Sequence, residues 1–205
     1  NLLRGLAAGT AAAAAGAAYG RWAEPHWLEV DRVAVRLTDA GSAAAPLRVL
    51  HLSDFHASPV VSLDYIASAV ELGLAERPDL IALTGDFFTN RLTEAGRYAE
   101  ILARLPAVAP TFACLGNHDG GPWTRSAGGY GSTAEALALL RAARIPCLLN
   151  ASQTLTLRGR TLHLIGVGDL WSGMCDPATA FAALPPRGAG WRILLNHNPD
   201  AKTRL

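Results

Sequence analysis

Six side chains suited to holding metal ions follow short apolar runs in this 205-residue chain. Residues 47–52 are followed by Asp54 and His56, residues 79–84 by Asp86, residues 111–115 by Asn117 and His118, and residues 191–195 by His197. Carboxylate, carboxamide and imidazole donors without thiolates suit Mn, Fe, Zn, Ni or Mg, not a structural zinc site. A carboxylate such as Asp86 can bridge two cations. Two cations about 3.5–4 Å apart activate a water and hold the phosphoryl oxygens of an in-line displacement. Each cluster alone has a plainer reading: Asp54 as a helix cap, Gly85-Asp86 as a turn, His197 as a surface histidine. All of them after apolar runs, in this order, favour one joint site.

The apolar runs read as buried strands, and their ends must converge for the donors to meet. In extended backbone, residues one apart point the same way, so Asp54 and His56 are expected to project together beyond the first run. Ligands in α/β proteins bind at such carboxyl ends. Between the runs, residues 62–77 follow a helical stripe with Ser62 as N-cap, and residues 93–105 form a second helix stopped by Pro106. Gly85 and Gly116 allow sharp turns directly before a donor. A third helix is expected over 132–143 and short strands over 30–37 and 145–149. Residues 154–157 and 161–166 flank a hairpin turn, residues 177–184 suggest a short helix, and 191–195 a last strand. The alternation predicts an α/β domain, layered with helices on its sheets, followed by an antiparallel part.

Half the residues are hydrophobic and 17% charged, which excludes a disordered chain, and a net charge of +1 provides no nucleic-acid-binding patch. Cys114, Cys147 and Cys175 form no Cys-x-x-Cys pair and read as separate thiols, a Cys147–Cys175 bridge remaining open for an exported protein. No Gly-x-Ser-x-Gly elbow supports a serine hydrolase. Residues 2–18 form an Ala/Gly-rich run, short for a membrane span, that fits the apolar core of an export signal or anchor. Residues 19–29 are an aromatic connector with Trp22, Pro25, His26 and Trp27, compatible with a membrane surface or with tryptophans packed on the domain. Residues 1–29 are thus expected to be leader and connector, and 30–205 the catalytic domain.

Asp54-Phe-His56, Gly85-Asp86, Gly116-Asn117-His118-Asp119 and Asn196-His197 resemble the successive motifs of the calcineurin-like metallophosphoesterase family. The leader, the Glu24-Pro-His-Trp27 connector and the segment from Leu47 to Asp54 resemble an exported or membrane-associated bacterial branch. Some members of that branch hydrolyse phosphodiesters or nucleotide-linked lipid precursors. The resemblance implies a layered sandwich of mixed β-sheets flanked by helices. It also implies two divalent metal ions, one held by Asp54 and His56, the other by Asn117 and His197, with Asp86 bridging. His118 would then be the acid or transition-state stabiliser, Asp119 would orient it, and a dinuclear-metal-activated hydroxide would attack phosphorus.

The family pattern closes with a Gly-His-x-His segment, which does not occur before Leu205. The resemblance therefore implies a domain truncated at the C-terminus, with three ligands per ion, weakened metal binding and lost activity for this chain alone. The substrate expected is a phosphoester, nucleotide- or lipid-linked, met in the periplasm or at a membrane. The alternative is a non-catalytic metal-binding or scaffold domain, or an inactive fragment of such an enzyme. Trp123, Arg125 and Tyr130, in the glycine-rich loop after His118, are candidate substrate contacts, whereas Asp169 and Trp171 read as a structural turn. His26, His51 and His163 read as structural histidines.

Overall fold

A computed structural model describes residues 13–20, 27–36, 46–186 and 188–205. The chain divides into two compact units, Asn1–Thr38 and Asp39–Leu205. The second contains, in order, β1 (Val49–Leu52), α1 (Leu63–Ala75), β2 (Leu80–Thr84), α2 (Ala95–Leu102), β3 (Thr111–Cys114), α3 (Pro122–Ser126), α4 (Ala134–Ala142), β4 (Ala151–Leu157), β5 (Arg160–Gly166), α5 (Pro177–Phe181) and β6 (Trp191–Leu195). Short 3-10 turns cover Asn117–Asp119 and Pro199–Thr203.

The strand β2 is the spine of this unit, because all of its residues are buried. Parallel neighbours flank it in the order β1-β2-β3, which sends the three carboxyl ends to one rim. Its side chains alternate as a strand requires. Ile81 and Leu83 join a core with Ile66 and Val70 of α1, Tyr98 and Leu102 of α2, and Leu140 of α4. Leu80 and Ala82 join a second core with Leu162 and Leu164 of β5 and Leu195 of β6. Helices therefore cover one face of the first sheet and the second sheet covers the other. The second sheet has the order β4-β5-β6 and is mixed: β4 and β5 form an antiparallel hairpin, and β6 joins β5 in parallel. Ala180 of α5 packs with Ile165 and Val167 on its outer side, completing an αββα sandwich.

Local sequence explains most of these boundaries. The Ser62 hydroxyl caps α1 by accepting from the Tyr65 amide at 3.2 Å, and Arg77 turns into left-handed backbone before Pro78 ends the element. The helix expected over 93–105 keeps regular form only through Leu102 and then tightens into turns that bury Leu105. The strand expected over 145–149 reduces to a bridge between Ala113 and Cys147, since Pro146 has no amide hydrogen to extend a ladder. The supposedly antiparallel last part also differs, for β6 lies parallel to β5 and brings its carboxyl end to the same rim as β2.

Within the first unit, residues 13–18 are helical. Residues 30–36 carry no strand, contrary to the alternating pattern, and Val33 is 84% exposed. Leu37 and most of the leader and connector, with Trp22, Pro25 and His26, lie outside the described residues. Among the described residues no helix is long and apolar enough to cross a membrane.

The three cysteines are free, and burial raises the Cys114 thiol well above its ordinary range and pushes Cys147 up to about 12. Cys175 sits nearer the surface with a smaller rise. A disulfide reagent at pH 8, a condition at which a free thiol of pKa about 8.5 reacts readily, is expected to label Cys175 first, and Cys114 and Cys147 only on unfolding. Simultaneous labelling of all three in the native protein would contradict this core.

Candidate metal centre

The loops after β1 and β2 run side by side at the rim. The Asp54 amide donates to the Gly85 carbonyl at 3.0 Å, the His56 amide to Asp86 at 2.9 Å, and the Ala57 amide to Phe87 at 3.1 Å. Asp54, His56 and Asp86 have φ values of 55°, 46° and 56°. The extended, period-two geometry expected for Asp54 and His56 is thus replaced by left-handed backbone beyond β1. Their side chains still approach, His56 Nε2 lying 3.8 Å from Asp54 Oδ1. Each such left-handed residue costs roughly 1–3 kcal/mol, so the surroundings must hold it in place.

Asp119 does much of that holding. Its carboxylate is fully buried; Oδ2 accepts from the Asp86 and Gly116 amides at 2.8 Å each, and Oδ1 from the Phe87 amide at 2.7 Å. Burial pushes this carboxyl up to about 7, the Asp86 charge adding to the rise while the backbone donors oppose it. Asp119 was expected to orient His118. Its hydrogen bonds instead tie the Asp86 loop to the Gly116 turn, and the His118 Nδ1 faces the Thr89 carbonyl at 2.9 Å. The two glycines leave no room for a side chain: a Cβ on Gly85, whose φ is +88°, would strike the Gly116 backbone, and one on Gly116 would strike Asp86 Oδ1.

Around Asp86 the donors assemble. Its Oδ2 lies 3.3 Å from His56 Nε2 and 3.4 Å from His197 Nε2, and its Oδ1 accepts from the His118 amide at 2.8 Å. The side chain of Asn117 points its Oδ1 at His197 Nε2, 3.1 Å away. Two donor groups share Asp86, one with His56 and His118, the other with Asp54 and His197. The grouping differs from the expected one, because His118 stands beside His56, their rings 4.8 Å apart and edge to face. Burial would raise the Asp86 carboxyl, yet the hydrogen bond to His197 and the His118 amide outweigh it and hold it below its ordinary value. Burial would likewise lower His197, but the bond and charge of Asp86 outweigh this and bring it to about 9.

These residues fit divalent cations. The Nδ1 of His197 faces the Thr84 carbonyl at 2.7 Å, so that nitrogen keeps its hydrogen, and Nε2, protonated toward Asp86 in the metal-free site, would offer its lone pair once a divalent cation displaced that proton. His56 Nδ1 meets the Thr89 hydroxyl at 3.3 Å, leaving its Nε2 toward Asp86 and Asp54. An imidazole whose second nitrogen is anchored in this way is the usual arrangement of a metal-ligating histidine.

The outer residues divide. Trp123, from α3, packs edge-on against His118 at 4.8 Å. Tyr130 was expected to contact substrate but is built into the fold: its ring packs on Phe88 at 5.4 Å and its hydroxyl accepts from the Leu92 amide at 3.2 Å. Arg125 is exposed, its stem passing Gly131. His163 is buried and bonded to Thr154, and His51 meets Thr84, both outside the two donor groups. Asp169 is a buried turn residue, as expected, whereas Trp171 is exposed and lies beside Trp123. Thr89 is a supporting residue that sequence reasoning passed over, because a threonine three positions beyond Asp86 carries no distinctive spacing signal.

An αββα sandwich with carboxylate, carboxamide and imidazole donors converging on one rim defines a candidate metal-binding α/β protein. The calcineurin-like phosphoesterase family model matches residues 47–204, and the chain belongs to that family. It is 37% identical to phosphodiesterase YaeI of Escherichia coli over 95% of this chain and 68% of that protein. It is 31% identical to the uncharacterized metallophosphoesterase YkuE of Bacillus subtilis, over 96% of this chain and 66% of the relative. It is 27% identical to the UDP-2,3-diacylglucosamine pyrophosphatase LpxG of Chlamydia trachomatis, over 86% and 64%. The chain thus spans about two thirds of the length of these relatives.

Replacing Asp119 with Asn puts an NH2 group where backbone amides need an acceptor. The Asp119→Asn variant is expected to lose about 1–3 kcal/mol of stability in metal-free urea unfolding. An unchanged midpoint would contradict the role given to this carboxylate.

Proposed function

We propose that this protein is a metal-dependent phosphoester hydrolase acting on phosphodiesters. The observation that carries the proposal is Asp86 Oδ2, held between His56 and His197 and shared by both donor groups. Asp54 and Asp86, with oxygens 3.8 and 3.3 Å from His56 Nε2, would hold one divalent ion with His56 while His118 of that donor group is kept for proton transfer, and Asp86, Asn117 and His197 would hold a second. Bound there, such ions supply Lewis-acid polarisation of phosphoryl oxygens and acidify a water.

The chain's own groups then have separable tasks. Asp86 provides negative charge common to both halves of the site, and the Asn117 carboxamide adds an oxygen donor without adding charge. His118 carries a proton: the Thr89 carbonyl can only accept, so Nδ1 keeps its hydrogen, and Nε2 exchanges a proton with the leaving-group oxygen. Trp123 against one side of that ring limits its rotation.

The name of YaeI, a phosphodiesterase, supports the diester reading, and that of LpxG, a pyrophosphatase of a nucleotide-linked lipid, supports a nucleotide- or lipid-linked phosphoester. An exported or membrane-associated location is part of the proposal and rests on the apolar leader and aromatic connector of the sequence.

The test is hydrolysis of bis(p-nitrophenyl) phosphate with manganese, before and after chelation, with metal content measured in parallel. His118→Ala is expected to retain metal while kcat falls about 10²–10⁴-fold. Asp86→Asn is expected to lose both metal and turnover. Turnover indifferent to chelation and to both substitutions would overturn the proposal, and metal binding without turnover would favour the non-catalytic alternative.

A further inference from the structure

Two tryptophans stand in line from the candidate centre outward. Trp123 packs edge-on against His118 at 4.8 Å, and Trp171 lies 6.3 Å beyond it with the two ring planes tilted by 41°. Trp171 is 56% exposed, an unusual position for the largest apolar side chain. The tilt keeps the two indoles from closing on each other as a parallel stack.

The loop that displays Trp171 is braced from beneath. The Asn150 carboxamide donates to the Met174 carbonyl at 2.8 Å, and its Oδ1 accepts from the Gly168 amide at 2.8 Å and the Asp176 amide at 3.0 Å. Buried Asp169 accepts from the Ser172 amide at 2.7 Å, and its carbonyl accepts from Met174 at 3.0 Å. Ser172 also abuts Gly121 at the start of α3, where a Cβ would lie 3.5 Å from that of Ser172. The Trp171 loop and the helix carrying Trp123 are therefore packed together, so the aromatic pair is pre-formed. A rigid aromatic surface loses little entropy when a ligand settles on it.

We propose that Trp123 and Trp171 form a stacking ledge that selects phosphoesters bearing a planar ring, a nucleobase or aryl group, on the phosphoryl group engaged at His118. The inference rests on the phosphoesterase reading and adds its substrate class. A flat π-face meets an indole over its whole area without demanding a hydrogen-bond pattern, so the ledge recognises planarity and not base identity. An alkyl group of the same phosphoester lacks that face. Trp171 is the residue that isolates the effect, because its ring contact is with Trp123 and not with His118.

Thymidine 5′-methyl phosphate and ethyl methyl phosphate, with products followed by chromatography, share a methyl group, and only the thymidine ester carries a planar ring to present to the ledge. With manganese present, Trp171→Ala is expected to lower kcat/KM for the thymidine ester about ten- to a hundredfold while changing the ethyl ester less than about twofold. Trp171→Phe, which restores a planar face, is expected to recover most of the loss. Equal losses on both esters, or no loss on either, would overturn the ledge. Calorimetric binding of thymidine 5′-monophosphate and ribose 5-phosphate to the manganese-treated protein gives a readout that needs no turnover. Tighter binding of the nucleotide, lost in Trp171→Ala, supports the ledge even if neither ester is hydrolysed, a result that would defeat the phosphoesterase reading alone. Equal binding of the two ligands to the unsubstituted protein overturns the ledge.

Discussion

Asp119 has no exposed surface, and its two oxygens accept hydrogen bonds from backbone amides on two different loops. A buried carboxylate is expensive unless it is fully hydrogen-bonded, and here the bonds run to the amides of Gly116, Asp86 and Phe87. The carboxylate thereby fixes the distance between the carboxyl ends of β2 and β3. It also holds Asp86 in left-handed backbone, the conformation from which its side chain reaches two imidazoles. Gly85 and Gly116 complete the constraint by letting the two turns approach more closely than any side chain would permit.

From that clamp the rest of the centre follows by backbone pairing. The amides of Asp54, His56 and Ala57 bond to carbonyls of the Asp86 loop, so the position of the first donors is inherited from the second loop. His197 arrives from the other sheet, and its Nδ1 on the Thr84 carbonyl seats it at the end of β2. Parallel pairing of β6 with β5 is what carries that histidine to the correct rim. One acidic side chain, Asp86, then serves both sheets, and the Thr89 carbonyl and hydroxyl steady the imidazoles of His118 and His56.

Much of this was legible in the sequence, and the reasons are specific. The apolar runs before Asp86 and Asn117 match β2 and β3 closely, because fully buried parallel strands need unbroken apolar residues. Ser62 marked the start of α1 through ordinary capping chemistry. What failed depended on non-local partners. The alternating residues 30–36 do not make a strand, since alternation supplies a face and not a neighbour. Left-handed backbone at Asp54 and His56 was invisible, because nothing in their side chains demands it; the demand comes from the loop beside them. The same reasoning explains Asp119. Its adjacency to His118 in sequence suggested a direct bond, while the 3-10 turn over Asn117–Asp119 directs the two side chains to different partners. The packing of Tyr130 on Phe88 and the exposure of Trp171 beside Trp123 were likewise illegible, because both are tertiary outcomes.

As proposed, Asp86 would be shared by two cation positions, one on the His56 side and one on the His197 side. Anomalous scattering from crystals grown with manganese tests it most directly. Two anomalous peaks are expected to flank the Asp86 carboxylate, one against His56 and one against His197. A single peak distant from Asp86, or none with manganese saturating, would contradict it.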